Sequence, residues 1–238
     1  MKIEVVPFAE TINSKSVSGK SVVVIDVLRA TSVMITALQN GAREIIPCQT
    51  IQQAKDKAKA LSKESYLLCG ERDARKITGF DLGNSPLEFT PQIVENKTLI
   101  ITTTNGTKAL NACREAQQIY IGAFLNLDAI IEKVRDQNEL VLVCSGTRGR
   151  FSMDDGMCAA AIINGLINHC KLSLDDLGKT LLMNYQNGYG KLINLLSQCN
   201  HLIYLINNGY GDDVKFCLQT NIYPIIPRFS KDSNIIIV

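Results

Sequence analysis

Val22-Val-Val-Ile25, Asp26-Val-Leu-Arg-Ala-Thr-Ser32 and Val33-Met-Ile-Thr-Ala37 follow one another without a break, and their order decides the fold. Four consecutive apolar β-formers make a strand buried on both faces, the kind found in parallel sheets. Thr31 or Ser32 is suited to cap a helix, and the residues beyond read as a buried helix. The loop between carries Asp26 and Arg29. A strand, a polar loop and a helix N-terminus form an anion site in α/β proteins, because free amides and the helix dipole both favour negative charge there.

Working outward, the pattern recurs twice. Thr98-Leu-Ile-Ile101 leads through Thr102-Thr-Thr-Asn-Gly-Thr107 into a helix over 108–115, then a strand at 118–123 and a helix over 128–135. Leu140-Val-Leu-Val-Cys144 leads through Ser145-Gly-Thr-Arg-Gly-Arg-Phe-Ser-Met-Asp-Asp-Gly156 into an Ala/Ile-rich helix ending near 167. Between the first two units lie a strand at 44–48, a helix over 50–62 and a strand at 66–69. These feed an irregular stretch, Gly79–Glu88, whose Phe80, Leu82 and Leu87 predict packing rather than disorder. Laid on the first unit, the second places Thr102 opposite Asp26 and Thr107 opposite Thr31. This suggests a degenerate internal duplication of a βαβα unit, the alternative being two unrelated units of similar period. Further on, Ser173-Leu-Asp-Asp176 resembles a capping box, 190–206 has helical spacing, Asp212-Asp213 opens a helix, and 223–227 and 235–238 are short strands. The expectation is an α/β fold of three layers around a mostly parallel or mixed sheet. It is one domain over 1–238, or two similar subdomains with no linker to mark a boundary.

Composition narrows the function. The 238 residues are 46% hydrophobic with 16 Gly and 6 Pro, a globular balance. A formal charge of +2 and the lack of Trp advertise no nucleic-acid face. No apolar run reaches the roughly 18 residues of a membrane span. The eight Cys include no C-x-x-C pair, so they read as reduced thiols of a cytoplasmic protein. His169 and His201 read as ordinary helix residues, away from any Cys pair.

Three loops that each follow an apolar strand should converge at one edge of a parallel sheet. They carry Asp26, Arg29, Thr31, Thr103, Asn105, Thr107, Ser145, Thr147, Arg148, Asp154 and Asp155, with Gly106, Gly146 and Gly149 freeing amides for anion nests. For any one loop, capping and turn formation explains these residues better. For all three together, a phosphate bridged to a divalent cation explains them better. Asp26, Glu71 and Asp155 are the candidate metal ligands, because lone acids at buried strand ends or helix starts need a partner. Glu71, Arg72 and Arg75 follow a strand and are as easily a solvated cluster as a site; Asn84 and Ser85 before Pro86 form a good turn in their own right. Known phosphate motifs fail. Asn105-Gly-Thr-Lys108 lacks Walker spacing, and Leu28 stands where a second Asp would follow Asp26. Cys144 to Arg150 matches C-x5-R, but Val143 and Phe151 depart from the thiolate phosphatases, so Cys144 reads as structural.

Five stretches together resemble a known family: Val24-Ile-Asp-Val-Leu-Arg-Ala-Thr-Ser32, Cys69-Gly-Glu-Arg72, Gly79-Phe-Asp-Leu-Gly-Asn-Ser-Pro86, Thr102–Thr107 and Cys144–Asp155. In this order they are similar to the 2-phosphosulfolactate phosphatases, over most of the chain up to about Gly178. The resemblance implies an α/β fold peculiar to that family and a Mg²⁺-dependent hydrolysis of (2R)-2-phospho-3-sulfolactate, on the route to coenzyme M. It also implies activity on other 2-hydroxy-acid phosphate esters. Arg29, Arg72, Arg75 and Arg148 suit a substrate with three anionic groups. On this reading Asp26, Arg29, Arg148 and Asp155 are catalytic. Thr31, Arg72, Arg75, Asn84, Ser85, Thr103, Asn105, Gly106, Thr107, Ser145 and Gly146 bind substrate, with Arg72 and Arg75 reading its acidic end. Whether Asp26 attacks phosphorus or holds the metal stays open, as does assembly into a homo-oligomer. A nucleotide or sugar-phosphate protein or phosphotransferase on the same loops, and a non-catalytic anion sensor, are the rival readings.

Overall fold

A computed structural model describes residues 1–188 and 192–238. Its strands are β1 Lys2–Val6, β2 Ser21–Ile25, β3 Glu44–Pro47, β4 Tyr66–Arg72, β5 Arg75–Lys76, β6 Thr98–Thr102, β7 Gln118–Gly122, β8 Glu139–Cys144, β9 Ser173–Leu174, β10 Arg228–Ser230 and β11 Ile235–Ile237. They join into one mixed sheet in the order β5-β4-β6-β3-β11-β10-β7-β2-β8-β1-β9. The apolar run at 22–25 explains why a core lies on each face of β2. Val22 and Val24 enter one with the helices Ala30–Gln39 and Gly106–Ala112. Val23 and Ile25 enter the other with Leu127–Val134 and Met153–Leu166. Successive side chains of a strand point to opposite faces, so a strand apolar at every position needs helices on both sides. The result is three layers.

Strand order repeats the sequence pattern in an interleaved way. β2 lies between β7 and β8, while β6 lies between β3 and β4. The first strand of each unit is thus held between the second and third strands of the other. Ile25 pairs with Cys144 and Ile101 with Cys69, at matching places in the two halves. The halves do not share one direction. β7 and β10, β10 and β11, and β11 and β3 are all antiparallel, so the β4-β6-β3 strands run opposite to β7-β2-β8. The three loops therefore do not leave a single edge, as a parallel sheet would require; they converge from two facing halves.

Local differences have local causes. The helix after β2 starts at Ala30, one residue before the expected cap, because the Asp26 carboxylate accepts its N–H at 3.1 Å. Thr31 instead sits inside the first turn and donates its hydroxyl to the Asp26 carbonyl at 2.9 Å. Asp175, not Ser173, caps the helix Asp176–Asn187 by accepting from Gly178 N–H, and Ser173 pairs in the sheet. Residues 223–227 are extended but not a strand: Pro224 and Pro227 have no N–H to donate, and only isolated bonds such as Tyr223 N–H to Leu125 tie them down. Helices Leu192–Leu196, Asn200–Asn207 and Gly211–Cys217 occupy the apolar C-terminal region; the expected helical stretch begins at 190, outside the described residues. Phe80 and Leu82 are buried as expected, but Leu87 is 45% exposed.

Candidate active site

A cleft of about 930 Å³ opens where the ends of β2 and β8 face those of β4 and β6. Asp26, Arg29, Glu71, Asn84, Thr103, Thr104 and Asn105 line one part of it, and Thr147, Arg148, Arg150, His201 and Tyr204 another. The two halves touch at Gly106. A Cβ there would lie 2.7 Å from Ala30 Cβ and 2.9 Å from Asp26 Oδ2, so only glycine lets these loops approach so closely.

Asp26 directly follows β2, with its carboxylate in the cleft wall. Burial pushes its pKa up to about 6; the Ala30 N–H and the nearby His201 pull the other way, and Asp154 and Glu71 add to the rise. Glu71 lies one residue before the end of β4 and accepts N–H bonds from Thr104 at 2.8 Å and Ala74 at 3.0 Å. Asp155 makes the matching connection in the other half, accepting from Val27 at 2.9 Å and Gly146 at 3.0 Å. Each carboxylate ties a loop after one strand to a loop after its neighbour. Glu71 lines the cleft and Asp155 does not. Burial, then the charges of Asp154 and Asp26, hold the Asp155 pKa well above the usual carboxylate range.

The expected set of three metal carboxylates is therefore not assembled. Among the described residues no group of three His, Cys, Asp or Glu side chains is arranged to hold a metal ion by itself. The remaining donors still suit magnesium, which keeps several waters and is held through one or two carboxylates and substrate phosphate. Asp26 and Glu71 face the cleft. Asn84 Oδ1 and Thr104 Oγ1, both on cleft-lining residues, are buried oxygens without a hydrogen-bond partner. Buried polar atoms are normally satisfied, so two orphans in one cleft mark a place where a ligand belongs.

The arginines are placed differently from expectation. Arg72 turns to the other side from Glu71, as strand alternation requires, and donates to Thr102 Oγ1 at 3.0 Å. Arg75 is exposed on β5, and neither residue lines the cleft. Arg29 is buried, with its guanidinium 2.5 Å from Asp213, 3.0 Å from the Ala74 carbonyl and stacked 4.0 Å over Tyr210. Ser85 donates to the same Asp213 at 2.7 Å, so both residues bind the C-terminal helices to the site; Arg29 also lines the cleft, and Ser85 does not. Arg148 and Arg150 are exposed cations on the cleft; in the sequence Arg150 stood out only as the last residue of the C-x5-R match.

The amide nests are largely closed. Thr107 N–H goes to Thr103 Oγ1, Gly146 N–H to Asp155 and Ser145 N–H to the Ile25 carbonyl. Thr31, Thr107, Ser145 and Gly146 shape the loops without lining the cleft, whereas Thr103 and Asn105 reach it. A Cβ on Gly146 would lie 2.5 Å from both the Arg150 carbonyl and Phe8 Cβ. Cys144 is buried, and burial, with nearby Asp155, Cys158 and Asp154, drives its thiol well above its ordinary pKa. It is no thiolate.

His201 was not expected here. Its Nδ1 lies 3.1 Å from Thr147 Oγ1 and 3.8 Å from Asp154 Oδ2, and its ring lines the cleft. Burial works against charge on this imidazole, but the Asp154 carboxylate beside it raises the pKa. Burial likewise disfavours the Asp154 anion, yet His201 and the Ser152 hydroxyl hold it below the usual range. The pair was hidden because 47 positions separate the partners, and His201 sits in an apolar helix.

The family model described as 2-phosphosulpholactate phosphatase matches residues 7–232. A protein of Clostridium beijerinckii named "Probable 2-phosphosulfolactate phosphatase" is 42% identical over 99% of both chains. Proteins of the same name from Clostridium perfringens and Caldanaerobacter subterraneus subsp. tengcongensis are 43% and 42% identical; they cover 96% and 92% of this chain and 94% and 91% of their own.

Proposed function

The chain belongs to the 2-phosphosulfolactate phosphatase family, and from that premise we propose that it is a Mg²⁺-dependent phosphatase of 2-hydroxy-acid phosphate esters. Its substrate is (2R)-2-phospho-3-sulfolactate, released as 3-sulfolactate and phosphate on the route to coenzyme M. The observation that carries the reading is the meeting of the family's strand-end loops in one cleft with two acids, unpartnered oxygens and the exposed cations Arg148 and Arg150.

Asp26 and Glu71, with Asn84, are the residues that would hold Mg²⁺. When bound, the ion neutralises phosphoryl charge and so lowers the barrier to breaking the ester bond. The chain's own residues do the rest. Thr103, Thr104 and Asn105 offer hydroxyl and amide groups to phosphoryl oxygens. Glu71 keeps Thr104 fixed while facing the cleft, and Asp155 fixes the loops after β2 and β8 from behind. Arg148 and Arg150, which line the cleft where Arg72 and Arg75 do not, would meet the carboxylate and sulfonate. Uncatalysed monoester hydrolysis is so slow that positioning and charge stabilisation must supply most of the acceleration.

Among the described residues no helix is long and apolar enough to cross a membrane. The eight cysteines are all free thiols, which supports a reducing, cytoplasmic setting. The test is inorganic phosphate release from 2-phospho-3-sulfolactate, p-nitrophenyl phosphate, a sugar phosphate and ATP, each with and without Mg²⁺. Preference for the sulfolactate ester is expected. Turnover confined to ATP or the sugar phosphate overturns the reading in favour of a phosphotransferase-like protein, and binding without turnover favours an anion sensor.

A further inference from the structure

We propose that His201 is the proton donor to the leaving oxygen of the phosphate ester, held for that task by Asp154. The proposal rests on the phosphatase reading above and adds a catalytic residue to it. A 2-hydroxy-acid ester departs as an alkoxide, a strong base that leaves slowly unless protonated as the bond breaks. The acids on the magnesium side of the cleft, Asp26 and Glu71, are committed to the metal in that reading. His201 is the imidazole lining the cleft, and its surroundings are those of an oriented acid. Thr147 Oγ1 and Asp154 Oδ2 both address Nδ1, at 3.1 and 3.8 Å, which leaves Nε2 for a substrate atom. Asp154 is itself fixed: it accepts from the Ser152 hydroxyl, and the Cys199 thiol lies 3.6 Å from the same oxygen. A buried carboxylate behind an imidazole favours the charged ring and sets its orientation.

The step balances as follows. The ester P–O bond breaks with its electron pair on the alkoxide oxygen, which takes the Nε2 proton and leaves as the hydroxy acid. A water oxygen forms the new bond to phosphorus, giving dihydrogen phosphate. That product returns one proton to neutral His201 directly or through solvent, so enzyme and charge are restored.

The charged or titratable groups around His201 are Asp154 on the Met153–Leu166 helix, Asp26 and Arg29 on the loop after β2, Cys199 just before its own helix, and Arg148 stacked 5.4 Å over Tyr204. Asp154 contributes most of the pull toward the charged ring.

The experiment is leaving-group dependence. Wild type and His201→Gln are assayed on 2-phospho-3-sulfolactate, whose alkoxide needs a proton, and on p-nitrophenyl phosphate, whose phenolate does not. General acids contribute about 10²–10⁴-fold, so H201Q should lose at least about 100-fold in kcat on the first ester and less than about tenfold on the second. Equal losses on both overturn the assignment. Asp154→Asn supplies an independent reading if H201Q folds poorly. It should move the alkaline limb of the kcat profile on the sulfolactate ester to lower pH, and an unmoved limb overturns the role of the pair. Wild type that releases phosphate from neither ester overturns the phosphatase reading itself, a result distinct from both.

Discussion

Glu71 and Asp155 perform the same structural service in opposite halves of the molecule. Each accepts two backbone N–H bonds and ties together the loops after adjacent strands, β6 and β4 in one half, β2 and β8 in the other. Yet Glu71 stands in the cleft and Asp155 behind it. The difference lies in chain position. Glu71 lies on the strand itself, one residue before its end, whereas Asp155 reaches the loops from the first turn of the following helix. Carboxylates alike in burial and bonding thus divide into a chemical group and a brace. On this view Asp26 joins Glu71 in the chemical class, since one of its oxygens caps Ala30 and the other approaches Gly106 across the cleft.

The strongest way to break the comparison is Asp26→Asn. The amide oxygen can still cap Ala30, so the fold should persist, while turnover should fall on the order of 10³-fold with the loss of the cleft carboxylate. Thermal unfolding with a phosphate-release assay checks both halves of that statement. Asp155→Ala should do the reverse. It strands two buried N–H groups, each worth about 1–3 kcal/mol when unsatisfied, so about 3 kcal/mol or more of stability should go. Magnesium affinity, read by calorimetry on the protein that remains folded, should stay near wild type for Asp155→Ala and drop for Glu71→Gln.

A pH measurement sharpens the same point. The Asp26 pKa of about 6 in the folded protein lies above the 3.8 of an ordinary aspartate. The folded state therefore binds the proton more tightly, and this stability is fully present below about pH 4 and lost as pH rises through about 6. The loss is on the order of 3 kcal/mol. Denaturant melts of metal-free protein should show wild type losing more stability than Asp26→Asn between about pH 4 and about pH 7. Parallel curves would place the titration elsewhere. The smallest effect is expected for Cys144→Ser. A hydroxyl replaces a buried thiol, so stability should drop by about 1–2 kcal/mol while turnover stays within about threefold, because no thiolate is available to attack. A collapse of kcat in a cooperatively folding variant would restore the cysteine mechanism.

Much of this was legible in the chain. Apolar runs at 22–25, 98–101 and 140–144 can only be strands covered on both sides, which specifies three layers. Five motifs in order carried the family. Direction was not legible, because it depends on the hairpin of Arg228–Ser230 and Ile235–Ile237 between the halves, and an Ile-Ile-Ile run carries no orientation. Side-chain aim was not legible either. Glu71 and Arg72 are adjacent, and alternation alone sends one into the cleft and the other to Thr102. Arg29 looked catalytic from its loop, but its partner Asp213 lies 184 positions away. His201 was lost for a similar reason, its carboxylate being known only once the chain is folded.

The central claim is that Asp26 and Glu71 hold Mg²⁺ beside the phosphate. It is tested most directly by stripping the protein of metal and following phosphate release from 2-phospho-3-sulfolactate before and after Mg²⁺ is restored. The account predicts no turnover before and sustained turnover after. Equal rates in excess chelator, from protein shown to be metal-free, would contradict it.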